Sequence, residues 1–412
     1  MGRLRLKTAI QPDSSPIRHR AGIVNPMVAG NVDSSAFRAF RVTRQRRSSH
    51  NPAVLALLAI LVLGSVLAAS ASAGAEADER GAACRWHVVS DRQGPDLWAA
   101  AALADNDVWA VGDNGVRGTI LHWNGRRWRS VASPVFAFDI DAVSAHDVWA
   151  VGSSLPGGLM TRPRAEHWNG TRWRSVPVPG RSGEFLRAVA ALSPRDVWAV
   201  GEKERGPLVE HWNGFAWERI ANGPRDGLLH GIDALSPLSI WAVGTQGMMT
   251  LGPASEDALI ERLQGGRWRT VPAPRVAWLN DNLLAVDAVS PGEAWAVGSV
   301  DVPSRAPLVE RWDGRAWSVA SMSGLPPEAS LRAVAVFGPG DVWAAGSRGF
   351  GQAERALLAH WDGRRWSQVP GPRGSLADLA ALSPRDIWAV GGSFGGGQRF
   401  RSLIEHYSCG PA

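Results

Sequence analysis

Seven copies of one two-part phrase constrain this chain more than anything else in it. In the third copy the parts read SPRDVWAVG (193–201) and VEHWNGFAW (209–217). The first part centres on Trp109, Trp149, Trp198, Trp241, Trp295, Trp343 and Trp388, at steps of 40, 49, 43, 54, 48 and 45 residues. Self-similarity at that spacing is the mark of a repeat architecture, in which one supersecondary unit is used again and again. The copies occupy everything from residue 84 to the C-terminus.

The third copy shows what each unit is. Leu186–Ser193 is apolar and rich in alanine. SPRD is a turn: Pro194 presets φ, and Ser193 and Asp196 can bond the nearby backbone. DVWAVG is β-branched and aromatic, a variable loop follows, and LVEHW is a third strand. Asn213-Gly214 predicts a tight turn between strands, and WERIA is the fourth strand. No helical periodicity interrupts the pattern. The reading is all-β: four-stranded antiparallel sheets set radially about an axis, a seven-bladed β-propeller over residues 84–412. Small residues suit the first strand of each blade, where the sheets converge on the axis. The tryptophans belong further out, where sheet packs on sheet and each is worth on the order of 4–6 kcal/mol in burial.

The last copy stops after its third strand, DIWAVGG…SLIEHYSCGPA. The missing fourth strand stands at the other end, as Cys84–Ser90, with Trp86 in the place of the repeat's final tryptophan. The N-terminal strand is therefore expected to complete blade seven. That puts the only two cysteines, Cys84 and Cys409, on adjacent strands, and a bridge between them is predicted.

Charge divides the chain. Of 44 basic and 38 acidic residues, ten and two lie in residues 1–73, which leaves the repeat region at about −2. Overall basicity is thus no argument for nucleic acid, and none is expected as a partner. Residues 1–50 read as a basic extension, disordered or untranslated, and 51–73 as a signal peptide or membrane anchor. Arg41, Arg44, Arg46 and Arg47 precede the apolar run Val54–Leu67, and Ala71 and Ala73 suit cleavage after Ala73. The run is short for a span of about 20 residues, which favours cleavage over an anchor. Residues 74–83 are a linker. The expected location is extracellular or in the cell envelope, where a disulfide persists.

The layout resembles kelch-type propellers, whose repeats carry a hydrophobic strand ending in a double glycine, then a tyrosine and a tryptophan. Gly391-Gly392 followed by Tyr407 is the nearest match; elsewhere tryptophan replaces the tyrosine, as at Trp123, Trp168, Trp212, Trp312 and Trp361. The chain looks like exported bacterial propellers with WAVG…HWxG repeats, a resemblance that implies a scaffold more than a chemistry. A galactose-oxidase-type copper site needs two tyrosines, and Tyr407 is the only one.

Two rows of polar residues recur in register. Asp107, Asp147, Asp196, Ser239, Glu293, Asp341 and Asp386 precede the blade tryptophans, and His122, His167, His211, Arg262, Arg311, His360 and His406 lie on the third strands. One carboxylate per blade is too dispersed for a metal, so repeated Asp–His or Asp–Arg contacts are expected, with no metal and no cofactor. The function expected is a monomeric, non-catalytic binding scaffold for a protein or glycan. The rival is an enzyme acting on an extracellular polysaccharide, a lyase or hydrolase, and a third reading is a purely structural envelope component. The binding surface is assigned to the face carrying the second-to-third-strand loops and the inter-blade links. The loop in blade four is the long one, 22 residues from Trp241 to Leu263, and holds Met248 and Met249. The link from blade four to blade five, 27 residues from Trp268 to Trp295, holds Trp278 outside the repeat register. Two roles fit Trp278: packing onto blade five or the channel, and contact with a ligand or partner together with Met248 and Met249.

Overall fold

The computed structural model describes residues 84–131, 135–154, 161–204, 206–224, 226–247, 257–276, 280–301, 305–395 and 399–409. They form seven four-stranded antiparallel sheets. Innermost strands of successive sheets touch, and the strand of the first blade (Asp96–Ala104) touches that of the last (Ser375–Ser383), so the ring closes. In blade seven the strand order is Cys84–Gln93, Arg399–Cys409, Asp386–Gly395, Ser375–Ser383, from rim to axis. The N-terminal strand is the outermost strand, as the truncated seventh copy requires. Cys84 lies opposite Cys409 in register and is disulfide-bonded to it across 325 residues of chain.

Two details differ from the sequence expectation. The fourth strand of blade three is only Trp217–Arg219, although the Ile220 N–H still donates to the Val209 carbonyl at 2.9 Å. A single 3₁₀ turn, Gly351–Ala353, sits in the second-to-third-strand loop of blade six.

Tryptophan forms the joints between blades. In most blades the second-strand tryptophan meets a tryptophan pair of the following blade: Trp109 packs on Trp168 and Trp173, Trp149 on Trp212 and Trp217, Trp241 on Trp312 and Trp317. Trp198 meets Trp268 alone, because Leu263 stands in the other place. The last joint uses both chain ends, with Trp343 of blade six on Tyr407 and Trp86. Edge-on and tilted rings at 5–6 Å complement one another electrostatically as well as burying area.

The two rows of polar residues pair as expected. His122, His167, His211, His360 and His406 bond Asp107, Asp147, Asp196, Asp341 and Asp386 at 2.7–2.9 Å, and Arg311 bonds Glu293 at 2.8 Å. Each of these histidines stacks on its own blade's tryptophan, at 4.0–4.5 Å. Blade four has Ser239 instead, and there Arg262 lies over the Trp241 ring at 4.5 Å. Among the described residues no three His, Cys, Asp or Glu side chains cluster as a metal site.

Alternating strand direction gives the ring two unlike faces. One carries the short first-to-second and third-to-fourth turns, and is called here the turn face. The other carries the second-to-third loops and the inter-blade links, and is the loop face.

Candidate functional site

The site begins with a glycine. In every WAVG phrase a Cβ on the glycine would collide with a carbonyl of the innermost strand; on Gly201 it would meet the Phe185 oxygen. The two strands approach this closely because the innermost strand bulges just beyond that carbonyl. Its register slips between Leu97 and Ala99, Leu186 and Ala188, Leu229 and Gly231, Leu331 and Ala333, and likewise in the other three blades. A bulge leaves one residue unpaired and re-aims its side chain. The seven re-aimed residues are Trp98, Phe138, Arg187, His230, Leu284, Arg332 and Ala377, and all line an axial cavity of about 250 Å³. They stand near the start of their strands, which places them toward the loop face.

Below this ring the channel wall is alanine, valine and aspartate, and the aspartates are structural. Asp139 accepts from the Val189 N–H at 2.7 Å, Asp141 from Ala191 at 2.8 Å, and Asp378 from Ala100 at 2.9 Å. Asp233 accepts from Ala288 at 2.9 Å and Asp287 from Val336 at 2.7 Å. Each carboxylate thus bonds the edge of the next blade's innermost strand, which has no strand of its own to pair with. Burial and the facing Asp378 hold Asp139 well above the usual carboxylate range.

The ring at the mouth is different, because its polar groups are not all used. Arg187 is held: it bonds Glu202 at 3.2 Å and lies over the Phe185 ring at 4.8 Å. Trp98 is held too, its indole N–H donating to Asp113 at 2.8 Å. Phe138 packs edge-on against Phe185 at 6.1 Å. His230 sits with Arg187 and Arg332 near it; burial, then the two guanidinium charges, push its pKa down to about 3. It is a neutral imidazole at any physiological pH. Arg332 is exposed, and no described residue bonds or ion-pairs with its guanidinium.

Arg332 also connects three spaces. It lines the axial cavity, a second of about 350 Å³ with Asp96, Trp98, Glu354 and Arg373, and a third of about 310 Å³ with His230, Thr245, Asn282 and Arg305. Burial and the neighbouring Asp113 raise the Asp96 carboxyl to about 6, against the opposing pull of Arg332. A Cβ in place of Gly392 would meet the Asp96 carboxylate, which would have to turn away.

Met248, Met249 and Trp278 lie outside the described residues. The strands flanking their segments are described, however. The second strand of blade four ends at Gln246 and its third begins at Asp257. Arg275, in the link that holds Trp278, donates to Asp257 at 2.5 Å, which sets the bases of the two segments side by side on the loop face. The third cavity opens next to them, at Thr245 and Asn282.

The ring of bulge residues was missed in the sequence. Its signal was the one position of the innermost strand that refuses the repeat: Trp, Phe, Arg, His, Leu, Arg and Ala follow a nearly constant Ala or Leu.

No protein-family profile matches the chain, and no curated protein matches it. Solved structures do. YCF48 bound to a D1 peptide is 15% identical with a TM-score of 0.52, over 78% of this chain and 96% of that one. U3-55K is 12% identical with a TM-score of 0.55, over 78% and 98%. A polysaccharide lyase of the PL25 family, an ulvan lyase, is 8% identical with a TM-score of 0.54, over 77% and 96%. The likeness is one of fold. At such identities it carries no residue of a neighbour's site onto this chain.

Proposed function

We propose that the protein is an exported, non-catalytic scaffold that binds an acidic segment of a protein or glycan at the loop-face mouth of its channel. The observation that carries this is Arg332: an exposed guanidinium with no hydrogen-bond or ion-pair partner among the described residues, where three cavities meet. An unpaired guanidinium suits a carboxylate, which it can hold through two parallel hydrogen bonds. Trp98 and Phe138 on the same rim add planar apolar surface, so the ligand has a flat or apolar part beside its acid. The Cys84–Cys409 bridge supports an oxidising compartment and therefore export. The kelch-type layout, and fold neighbours that include a peptide-bound protein and a polysaccharide lyase, are compatible with either ligand class.

A second reading has its own observation. His230 lines the mouth beside Arg187 and Arg332, and a polymer's carboxylate bound to those arginines would offset the charges that lower its basicity. An enzyme acting on an extracellular polysaccharide, with His230 as proton acceptor, therefore fits the same mouth. One experiment separates the two. Wild type, Arg332→Ala, Trp98→Ala, Trp278→Ala and His230→Gln proteins are titrated with uronate oligosaccharides and with acidic peptides, and the mixtures are assayed for unsaturated sugar. The scaffold reading expects binding that Arg332→Ala weakens at least about tenfold, an unchanged melting temperature, and no product. Product formation abolished by His230→Gln would establish the enzyme. Binding indifferent to Arg332 and Trp98 would remove the mouth from consideration.

A further inference from the structure

The near-neutral charge of the ring conceals an asymmetry. The third-to-fourth turns of blades six, one and two carry Arg364, Arg365, Arg126, Arg127 and Arg172, and the first-to-second turn of blade seven carries Arg385. All six are exposed, and no described residue ion-pairs with their guanidinium groups. The acids in the turns of these blades are Asp105 and Asp362, and Asp362 is engaged in capping the N–H groups of Arg364 and Arg365. Arg195, Arg267 and Arg315, also exposed, hold the matching turns of blades three, four and five. The turn acid there is Asp313, itself capping its own turn. The turn face is therefore cationic all round, and the arc over blades six, seven, one and two is richest in arginine. The same face is flat, because its turns are short and nearly uniform.

Across the ring, blades three and four supply something a purely electrostatic surface would not. Phe215 is 83% exposed at the tip of its turn, and Leu238 is 70% exposed at the tip of the next blade's turn. Neither touches the packed joints between blades. A third fact concerns the chain. It enters the ring at Cys84, whose bridge partner lies beside the Arg385 turn, with Cys409 Sγ 3.8 Å from the Arg385 carbonyl. Only the 16 residues 68–83 separate this point from the apolar run ending at Leu67. Fully extended they reach at most about 55 Å.

We propose that the turn face docks on an anionic phospholipid bilayer. Arginines meet the headgroup charge, and Phe215 and Leu238 enter the boundary between headgroups and acyl chains. A hydrated polyanion such as a nucleic acid or polyphosphate satisfies the arginines but gives the two apolar tips nothing to enter. The apolar run, where retained, tethers the domain from the same face; where it is removed, the face acts alone. Either way the loop face, with its channel mouth, points away from the membrane.

Vesicle binding of the full chain tests this, so that residues 1–83 contribute equally in every arm. The probes are vesicles of phosphatidylcholine and of phosphatidylcholine mixed with phosphatidylglycerol. Changing Arg126, Arg127, Arg364 and Arg365 to Glu should lower partitioning onto the anionic vesicles by about a hundredfold or more. Arg117→Glu with Arg162→Glu, on the loop face, should change it at most a fewfold. Phe215→Ser with Leu238→Ser should weaken binding even at high salt, where the charge contribution is screened. Amide exchange in the turns 124–127, 213–216 and 362–365 should slow when vesicles are added. Undiminished binding by the four-arginine variant would overturn the proposal, as would protection of the loop face instead. Tighter binding to a DNA or RNA oligonucleotide than to vesicles, lost in the same variant, would reassign the arc to a polyanion and equally overturn it.

Discussion

Glu310 is the residue least at ease in its surroundings. It lies on the third strand of blade five, fully buried, and neither carboxylate oxygen finds a hydrogen bond among the described residues. Burial, and then the Asp281 charge, push it up to about 8. Glu405, at the same place in blade seven, is raised by burial to about 7. In the unfolded chain a glutamate titrates near 4.3. Between the two values the folded state holds a proton that the unfolded state has lost, so stability falls as pH rises from about 4.3 to about 8. Glu310→Gln removes the group that titrates. Its stability should exceed wild type by on the order of 3 kcal/mol at pH 7 and converge with it near pH 4. Denaturant melts of both proteins across that range provide the measurement; parallel curves would mean that Glu310 is ionised in the fold. The sequence showed a glutamate in this place in five of the seven blades, but not its burial, because what covers it is the inter-blade link. In blade three the fourth strand supplies an answer, with Arg219 bonding Glu210 at 2.9 Å and, in the preceding link, Glu184 at 2.8 Å.

The innermost strand is the element on which structure and site meet. Its alanines, its turn and the glycine of the paired strand all repeat, and they announced a propeller, since close approach at the axis demands small residues. Two of its features could not be read that way. The bulge is encoded in the glycine of the neighbouring strand, a residue that in the sequence looks like an ordinary strand end. The inter-blade aspartates occur in only some blades, so repeat averaging hides them. Their role is testable at Asp287, which is buried and accepts the Val336 N–H at 2.7 Å. Asp287→Ala leaves that donor unsatisfied at the joint of blades five and six and should cost about 1–3 kcal/mol, while Asp287→Asn retains an acceptor and should cost less. Chemical denaturation ranks the three proteins. An alanine variant as stable as the asparagine one would mean that the bond across the blades contributes nothing.

At the scale of the whole ring, the binding mouth is a product of closure. Trp98, Phe138, Arg187, His230 and Arg332 come from five different blades, and their spacing holds only while blade seven joins blade six to blade one. That blade is made from both chain ends. Its outermost strand, Cys84–Gln93, contributes Trp86 to the joint with Trp343 at 5.5 Å, and the disulfide ties the strand in place. Strand and bridge can be separated experimentally. The bridge acts mainly by restricting the unfolded chain, so Cys84→Ser with Cys409→Ser should lower stability by about 2–4 kcal/mol and leave the native joint intact. Removing residues 84–93 does more. It deletes a tryptophan from the joint and exposes the Arg399–Cys409 strand as an open edge. The serine variant should therefore melt lower but bind at the mouth like wild type at low temperature. The truncated protein should lose binding together with the near-ultraviolet signal of its ordered tryptophans. If truncation melted no lower than the serine variant and still bound, blade seven would be dispensable, and the mouth would have to be held by the remaining six blades.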